Sequence, residues 1–321
     1  MSLILASMPA GGAMPLARAR VLHAAWAQAR AGGARFVMAI DDVSAPRPGA
    51  PLDDLAWLGL DWDEAFRRSE HLDRYEAAAA ALEATGRLYP CFENADELRA
   101  KAERQRKHGR PVLYDRAMLR LTAAQRAAAE AGGKRPHWRF RLSDRVAIWP
   151  DEGIGRGEVA LPTLSDPVLR EEGGTIDPAL ALAADDIALG ATHIVGGADM
   201  LVQTAIHVDL LAALGVDPAA RRMRHLPAAT EAGGRRLQGQ SLRALRQDGV
   251  APAALRAWFA TLDAQAAPRA DITDLLAENR RVLATLPFAE VAHMLPGVDE
   301  QRWLALRGGI DLITEARPTD E

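Results

Sequence analysis

LILASMPAGGAMPLARARVLHAAWAQARAGGARFVMAI, residues 3–40, sets the fold class of this chain. Residues 3–6 form an apolar run typical of a short buried strand, and residues 9–12 are a glycine-rich turn. A helix is predicted over residues 15–30, because apolar side chains recur there at helical spacing. RFVMAI, residues 35–40, is a second strand, so the whole run predicts a parallel βαβ unit of an α/β fold.

The amino end of that helix is a candidate nucleotide site. Backbone N–H groups without partners and the positive end of the helix dipole lie there, and both favour a bound phosphate. Whether such a site can do chemistry depends on the side chains beside it.

The chain continues with alternating helical and strand patterns. Residues 52–86 are predicted to be helical, with WLGLDWDE (57–64) as a helix end and turn. Two polar helices are predicted within residues 93–133, and strand patterns fill residues 137–161. This order extends the α/β class beyond the first unit.

A second βαβ-like unit is predicted over residues 179–214. Within it, Asp185 and Asp186 are expected to cap or brace a strand end, because buried carboxylates there accept backbone N–H bonds. From residue 241 the pattern is helical, with Trp258 and Trp303 as expected core residues.

Composition describes an ordinary globular protein. Among 321 residues, 49% are hydrophobic and 26% are charged, which argues against disorder. The net charge of −4 offers no overall attraction to a phosphate backbone, so DNA is not an expected partner. Two local basic stretches, Arg99–Arg110 and Arg221–Arg224, could contact RNA, although each alone is more typical of a solvated face.

Cysteine usage and hydropathy exclude several further classes of protein. Cys91 is the single cysteine, which excludes an intrachain disulfide framework and a thiolate-rich zinc site, and no metal is expected. No apolar run approaches the ~18–20 residues that span a bilayer, and the first residues lack a signal peptide's basic segment. The expected location is cytoplasmic, without a membrane partner.

Nine strings in chain order resemble the glutamyl-tRNA synthetases, which are class I aminoacyl-tRNA synthetases of the Glu/Gln type. They are GGARFVMAIDD (32–42), WLGLDWDE (57–64), GRLYPCFE (86–93), LYDRAMLRLT (113–122), RPHWRFRL (135–142), RGEV (156–159), SDPVL (165–169), DDIALGATHIVGGADM (185–200) and SLRALRQDGV (241–250). The resemblance covers about residues 3 to 310.

The resemblance implies a Rossmann-type (HUP-like) class I catalytic domain, with its halves at residues 1–87 and 181–240. It implies an acceptor-stem-binding-like insertion at 88–180 and a helical stem-contact-like region at 241–321. The anticodon-binding domain of full-length glutamyl enzymes is expected to be absent. Shorter glutamyl-queuosine tRNA synthetases also lack that domain, and GGAD here is similar to their version of one motif.

The family's first signature, an HIGH-type tetrad, places imidazoles against the phosphates of ATP. By register from Pro9 and Gly11, the tetrad falls on Met14, Pro15, Leu16 and Ala17. None of these side chains can donate a hydrogen bond to phosphate, although a proline suits the first turn of a helix. The first signature is therefore degenerate.

The second signature, a KLSKR-type loop, brings a lysine to the developing negative charge. The corresponding segment is GGRRLQGQ, residues 233–240, and the degenerate signature covers Arg235, Arg236, Leu237, Gln238 and Gly239. The lysine position falls on Gly239 or is missing. Arg235 and Arg236 are cationic and could contact nucleotide or RNA.

The glutamate pocket of the family uses two arginines and a tyrosine, whose positions fall on Ile4, Gly196 and Pro178. Asp41 stands where the family has an acidic residue for the ammonium group of the substrate. With Asp185, Asp186 and Asp199, and without the arginines, the cleft is expected to be acidic and to repel both ATP and glutamate.

Loss of three sub-sites together favours an inactive paralogue that acts as a binding or regulatory module. Its ligand would be a tRNA acceptor stem, a protein partner or another small molecule, and no cofactor is expected. The alternative is an ATP-dependent ligase with residual or altered aminoacylation, of glutamyl-tRNA or glutamyl-queuosine tRNA type, which would need ATP and Mg²⁺. A subunit that pairs with an active synthetase is a third hypothesis.

Overall fold

A computed structural model describes residues 2–44, 51–230 and 241–318. Its strands are β1 (Leu3–Pro9), β2 (Arg35–Asp41), β3 (Glu64–Arg67), β4 (Leu88–Cys91), β5 (His137–Phe140), β6 (Val146–Asp151), β7 (Gly155–Ala160), β8 (Val168–Arg170), β9 (His193–Gly197) and β10 (Arg222–Leu226). Its α-helices are α1 (Leu16–Gly32), α2 (Pro51–Trp57), α3 (Leu72–Ala84), α4 (Ala95–Lys107), α5 (Ala123–Ala131), α6 (Pro178–Leu189), α7 (Leu201–Ala213), α8 (Leu242–Asp248), α9 (Pro252–Asp263), α10 (Ile272–Leu283), α11 (Phe288–Val291) and α12 (Glu300–Leu306).

A five-stranded sheet in the order β10-β9-β1-β2-β3 forms the centre of the molecule. All of its pairings are parallel. The strand order runs outward in both directions from β1, as in a doubly wound Rossmann-type sheet, and helices connect its strands. The predicted α/β Rossmann-like class is confirmed.

The first βαβ unit follows its sequence pattern closely. Pro15 caps α1 in an extended conformation, and its fixed φ suits that position. Gly33 ends the helix with φ of 62°, a left-handed conformation that glycine adopts without a steric penalty, and its N–H bonds to Ala29 O. β2 then pairs with β1 over all seven residues, which places both strands in the core.

Two smaller sheets lie between the halves of the central sheet in the sequence. β4, β5 and β8 form an antiparallel sheet, and β6 and β7 form a hairpin. The polar helices α4 and α5 expose most of their residues and bury none fully. The predicted strand and helix patterns of this region are present.

The helical region after residue 241 packs on the first half of the sheet. α9 contributes Leu255, Trp258 and Phe259 to the core that α1 also enters. Trp303 is fully buried in a separate core and donates from Nε1 to Leu286 O at 2.9 Å. Both tryptophans are core residues, as predicted.

The uniformly helical prediction for residues 52–86 is wrong. Within that range, β3 forms the edge of the central sheet and pairs in parallel with β2. β3 has four residues, of which only Phe66 is buried, so its sequence lacks an alternation strong enough to predict a strand. The pairing with β2 holds residues 64–67 in the extended conformation.

Candidate functional site

A crevice opens where β1 and β9 separate. These strands pair only at Ile4 and His193, whereas β1 and β2 pair along their whole length. β1 is also the point from which the strand order runs outward in both directions. Ligands of open α/β sheets bind in the crevice at the carboxyl ends of such strands.

Two cavities flank this crevice. The first, about 100 Å³ in volume, lies between β1, β9 and helices α1, α6 and α7. The second, about 80 Å³ in volume, lies between the first turns of α1 and the chain that follows β9 and β10, and Arg20 and Asp199 are its charged lining residues.

The first-signature positions form the start of α1. Met14 and Leu16 point into the hydrophobic core and are 3% and 2% exposed. Pro15 precedes the helix and makes no side-chain cap. Ala17 lines the second cavity with a methyl group. These four positions therefore present no side-chain donor to a phosphate.

Arg18, one residue further on, is a cation that the sequence analysis missed. Its Nη2 donates to Ser7 O near the end of β1, and its Nε is shielded from solvent without a hydrogen-bond partner in the described part of the chain. Burial and the nearby Arg68 lower the pKa of this guanidinium, while Asp199 acts in the opposite direction. The signal available in the sequence was an arginine within an otherwise apolar helix start.

Arg20 fixes α1 to the C-terminal helical region. Its Nε lies 2.7 Å from Asp263 Oδ1 on α9, and its Nη1 donates to Pro227 O at 2.9 Å. Both side chains are largely buried. Burial raises the pKa of Asp263, although Arg20 opposes that effect. This pair also was not predicted, because its members are far apart in sequence.

Asp41 organises the turn after β2. Its Oδ1 accepts from the N–H groups of Val43 and Ser44 at 3.3 and 3.2 Å, and its Oδ2 accepts from Ser44 Oγ at 2.7 Å. Arg68 Nη1 lies 3.6 Å from the same carboxylate. These contacts account for most of the acceptor capacity of the carboxylate.

Asp185 and Asp186 lie within α6 and do not brace a strand end. Asp185 is fully buried and accepts from Arg68 Nε at 3.1 Å, Arg74 Nη1 at 2.7 Å and Tyr75 Oη at 3.0 Å. Its partners are side chains, so the expected bonds from strand-end backbone N–H groups are replaced by charge pairing.

Asp186 is neutralised in a similar way. Its Oδ1 accepts from Arg221 Nη2 at 2.8 Å, and its Oδ2 bonds to His207 Nε2 at 2.9 Å. The expectation of a strongly acidic cleft is therefore wrong for these two aspartates, because cations from α3 and from the chain before β10 compensate them. Arg221 is consequently an internal ion-pair partner and not an RNA-facing residue.

The remaining pocket positions are dispersed. Ile4 is buried in the core of β1, and Pro178 begins α6 after its N-cap Asp177. Gly196 lies in β9 beside His225, whose Cδ2 would be 3.2 Å from an added Cβ. Asp199 lies in a short 3₁₀ turn after β9. Ala17 and Asp199 line the second cavity, whereas Gly196 lines the first.

The second signature, Arg235 to Gly239, lies outside the described residues. Within residues 2–44, 51–230 and 241–318, no group of three or more metal-ligating side chains is present. Nor does any helix in those ranges have the length and apolarity needed to cross a membrane.

A buried hydrogen-bond chain supports the wall of the crevice. Asp151 of the β6–β7 hairpin bonds to His225 Nδ1, and His225 Nε2 lies 2.8 Å from Thr204 Oγ1 on α7. Burial opposes ionisation of Asp151, yet hydrogen bonds from His225 and backbone N–H groups bring its pKa below the usual value. These contacts give His225 a structural role.

Comparison with known proteins places the chain among the synthetases. It matches the family model of tRNA synthetases class I (E and Q), catalytic domain, over residues 10–270. It is 43% identical to Glutamate--tRNA ligase 2 of Gluconacetobacter diazotrophicus, across 90% of this chain and 72% of that protein. The protein of the same name from Acidiphilium cryptum is 44% identical with the same coverage.

Among solved structures, the glutamate-tRNA synthetase from Elizabethkingia anophelis is similar with a TM-score of 0.82. The match covers 98% of this chain and 80% of that one, at 18% identity. At this identity the likeness shows the shared fold, and the family rests on the sequence matches.

Proposed function

This chain belongs to the glutamyl-tRNA synthetase family, and we propose that it is a catalytically inactive member that acts as a binding or regulatory module. Family membership describes the scaffold, whereas activity depends on the groups at the site. The groups that adenylate formation requires are therefore the basis of this proposal.

One observation carries the proposal: the four first-signature positions, residues 14–17, hold no side-chain hydrogen-bond donor. Met14 and Leu16 are buried, and Pro15 has no backbone N–H. Adenylyl transfer relies on positioning and on neutralising charge at the phosphates. Losing one transition-state donor costs about 100–1000-fold in rate, so four signature positions without donors support loss of activation.

The substrate pocket supports the same proposal. Ile4, Pro178 and Gly196 stand where the family resemblance expects two arginines and a tyrosine, and none carries a charged or hydrogen-bonding side chain. Asp41 remains but is bonded within its own turn. A glutamate side chain would lose the paired cations that a carboxylate needs in a partly closed site.

Retained tRNA binding would use surfaces outside the crevice. Helix α4 carries Arg99, Arg104, Arg106 and Lys107 on a largely exposed surface. Its cations suit a tRNA acceptor stem, since phosphate contacts rest on Lys and Arg. A protein partner remains the second option for this module.

A ligase with residual or altered activity, of glutamyl-tRNA or glutamyl-queuosine tRNA type, is the second candidate. The observation that favours it is the identity above 40% with relatives named Glutamate--tRNA ligase 2. This candidate requires ATP and Mg²⁺ binding, to which Arg235 and Arg236 would contribute.

ATP–pyrophosphate exchange with glutamate tests the proposal, with and without total tRNA, beside an ATP titration by calorimetry. An active family member serves as the positive control. No exchange and no ATP binding are expected. Exchange above background that is lost in the Arg235→Ala and Arg236→Ala variants would establish the ligase instead. Capture of tRNA by the full chain, compared with a variant lacking the α4 cations, then tests the module.

A further inference from the structure

We propose that the crevice between β1 and β9 binds a short-chain monocarboxylate, whose carboxylate pairs with Arg18 while its apolar tail fills the cavity behind. The inference rests on the proposed function, because it names the ligand of a crevice that no longer activates glutamate. Three features of the crevice support this proposal. They are the apolar cavity, the guanidinium of Arg18 and the imidazole of His207 on the cavity wall.

The cavity exists because β1 and β9 part after one paired position. Its volume of about 100 Å³ lies behind Ser7 at the end of β1. An engineered cavity of about 150 Å³ in another protein holds benzene, so this space suits about four carbon-sized atoms. Most of its wall is apolar, with Leu5, Val21, Leu22, Ile194 and Met200 among the lining residues.

Arg18 differs from the two buried arginines near it. Arg20 pairs with Asp263, and Arg68 pairs with Asp185. Arg18 makes no ion pair within 4.0 Å in the part of the chain that the structure describes, and its Nε–H is shielded from water. A shielded Nε–H without an acceptor is costly, and an anion at this point would remove that cost.

The position of Arg18 adds to this cost. It lies in the first turn of the 17-residue helix α1, where the helix dipole disfavours a cation and favours an anion. The nearby Arg68 also disfavours its charge, while Asp199 compensates part of it from a distance. Arg18 and the amino end of α1 would both stabilise a bound carboxylate.

His207 supplies a second polar atom on the cavity wall. Its Nε2 bonds to Asp186 Oδ2, and its Nδ1 is buried without a hydrogen-bond partner among the described residues. In the tautomer that carries its proton on Nε2, Nδ1 can accept a hydrogen bond from a water molecule or from a hydroxyl on the ligand.

This arrangement selects against glutamate. Its second carboxylate would enter a largely apolar cavity in which Arg18 is the one arginine or lysine among the described lining residues. An unpaired buried carboxylate is strongly unfavourable, whereas a hydrocarbon tail is favourable. The crevice therefore prefers butyrate or isovalerate over glutamate or succinate.

The test measures binding of butyrate, isovalerate, glutamate and neutral 1-butanol to the full chain, by calorimetry and by ligand-observed NMR. Saturable binding of the two monocarboxylates is expected, with little binding of glutamate. Arg18→Met should weaken butyrate binding about tenfold or more, in line with a lost hydrogen bond to a charged group. Arg156→Met, at an exposed hairpin position paired only with Glu158, is the matched control and should bind like the native chain.

A second variant guards against misfolding of the first. Ala6→Val adds two carbons to a buried strand position on the cavity wall and should reduce binding of isovalerate more than of butyrate. Absence of saturable monocarboxylate binding overturns the proposal. Equal binding by Arg18→Met, or equal binding of butanol, also overturns it. Glutamate-dependent exchange would instead refute the proposed inactivity, which separates the two failures.

Discussion

His23 gives the sharpest test of how α1 and the C-terminal helices are held together. Its ring is buried between Trp26 and Phe259, with centroid distances of 5.9 and 5.7 Å, and its Nδ1 has no partner among the described residues. Burial and the nearby Arg256 lower the pKa of His23 from 6.5 to about 4. The neutral ring therefore belongs to the folded state, and protonation favours the unfolded chain.

The direction and size of the pH effect on the free energy of unfolding follow from proton linkage. Between pH 6.5 and 4 the unfolded chain binds the proton and the folded chain does not, so stability falls as the pH falls. These two pKa values predict a loss of about 2 kcal/mol between pH 7 and pH 5, and about 3 kcal/mol by pH 4. The loss is complete only below the folded pKa.

Urea unfolding of the native chain and of His23→Phe, at pH 7 and pH 5, measures this effect. Phenylalanine keeps an aromatic ring in the apolar site and cannot titrate, so the stability difference between the two proteins should shift by about 2 kcal/mol. His108→Gln, at an exposed position, is the control and should retain the native slope. An unchanged difference between native and His23→Phe at the two pH values would refute the reasoning.

Two further predictions concern buried polar contacts. Asp263→Ala leaves the buried Arg20 without its carboxylate and should lower the free energy of unfolding by about 3–5 kcal/mol. In a urea double-mutant cycle, the Arg20→Met/Asp263→Leu double variant should regain most of the lost stability. A double variant as unstable as the single one would contradict this. Asn279→Leu should lower the free energy of unfolding by about 2–4 kcal/mol in the same assay. The buried amide of Asn279 accepts from Ala251 N–H and donates to Gly249 O and Asp311 O, and leucine can make none of these bonds. The exposed Gln301→Leu should change stability little, and equal losses would rule out the account given for Asn279.

Local patterns predicted the central part of the fold. β1, α1 and β2 follow from an apolar run, helical spacing and a glycine stop, each of which is set by neighbouring residues. β3 was missed because a short edge strand with one buried residue owes its conformation to β2. Its pairing partner lies 27 residues earlier in the chain and is not visible in a local pattern.

The candidate site was predicted less completely. The nonpolar character of residues 14–17 could be derived from sequence register, and the structure adds that Met14 and Leu16 are core residues. The expected acidic cleft failed because Arg68 reaches Asp185 across 117 positions of sequence. Charge balance at a site is a three-dimensional property, and a count of aspartates near a motif cannot supply it.

Packing and phosphate chemistry compete for the same turn of this fold. Burial of side chains such as Met14 and Leu16 contributes about 1.5–3 kcal/mol each, and both enter the core that α1 shares with α9. Donors facing a phosphate would have to leave that core and remain hydrated or ligand-bound. Residues 14–17 thus strengthen the contact between the sheet and the C-terminal helices, while their own side chains offer no donor to a phosphate. A scaffold kept for binding gains from this exchange, whereas an enzyme that must activate glutamate does not.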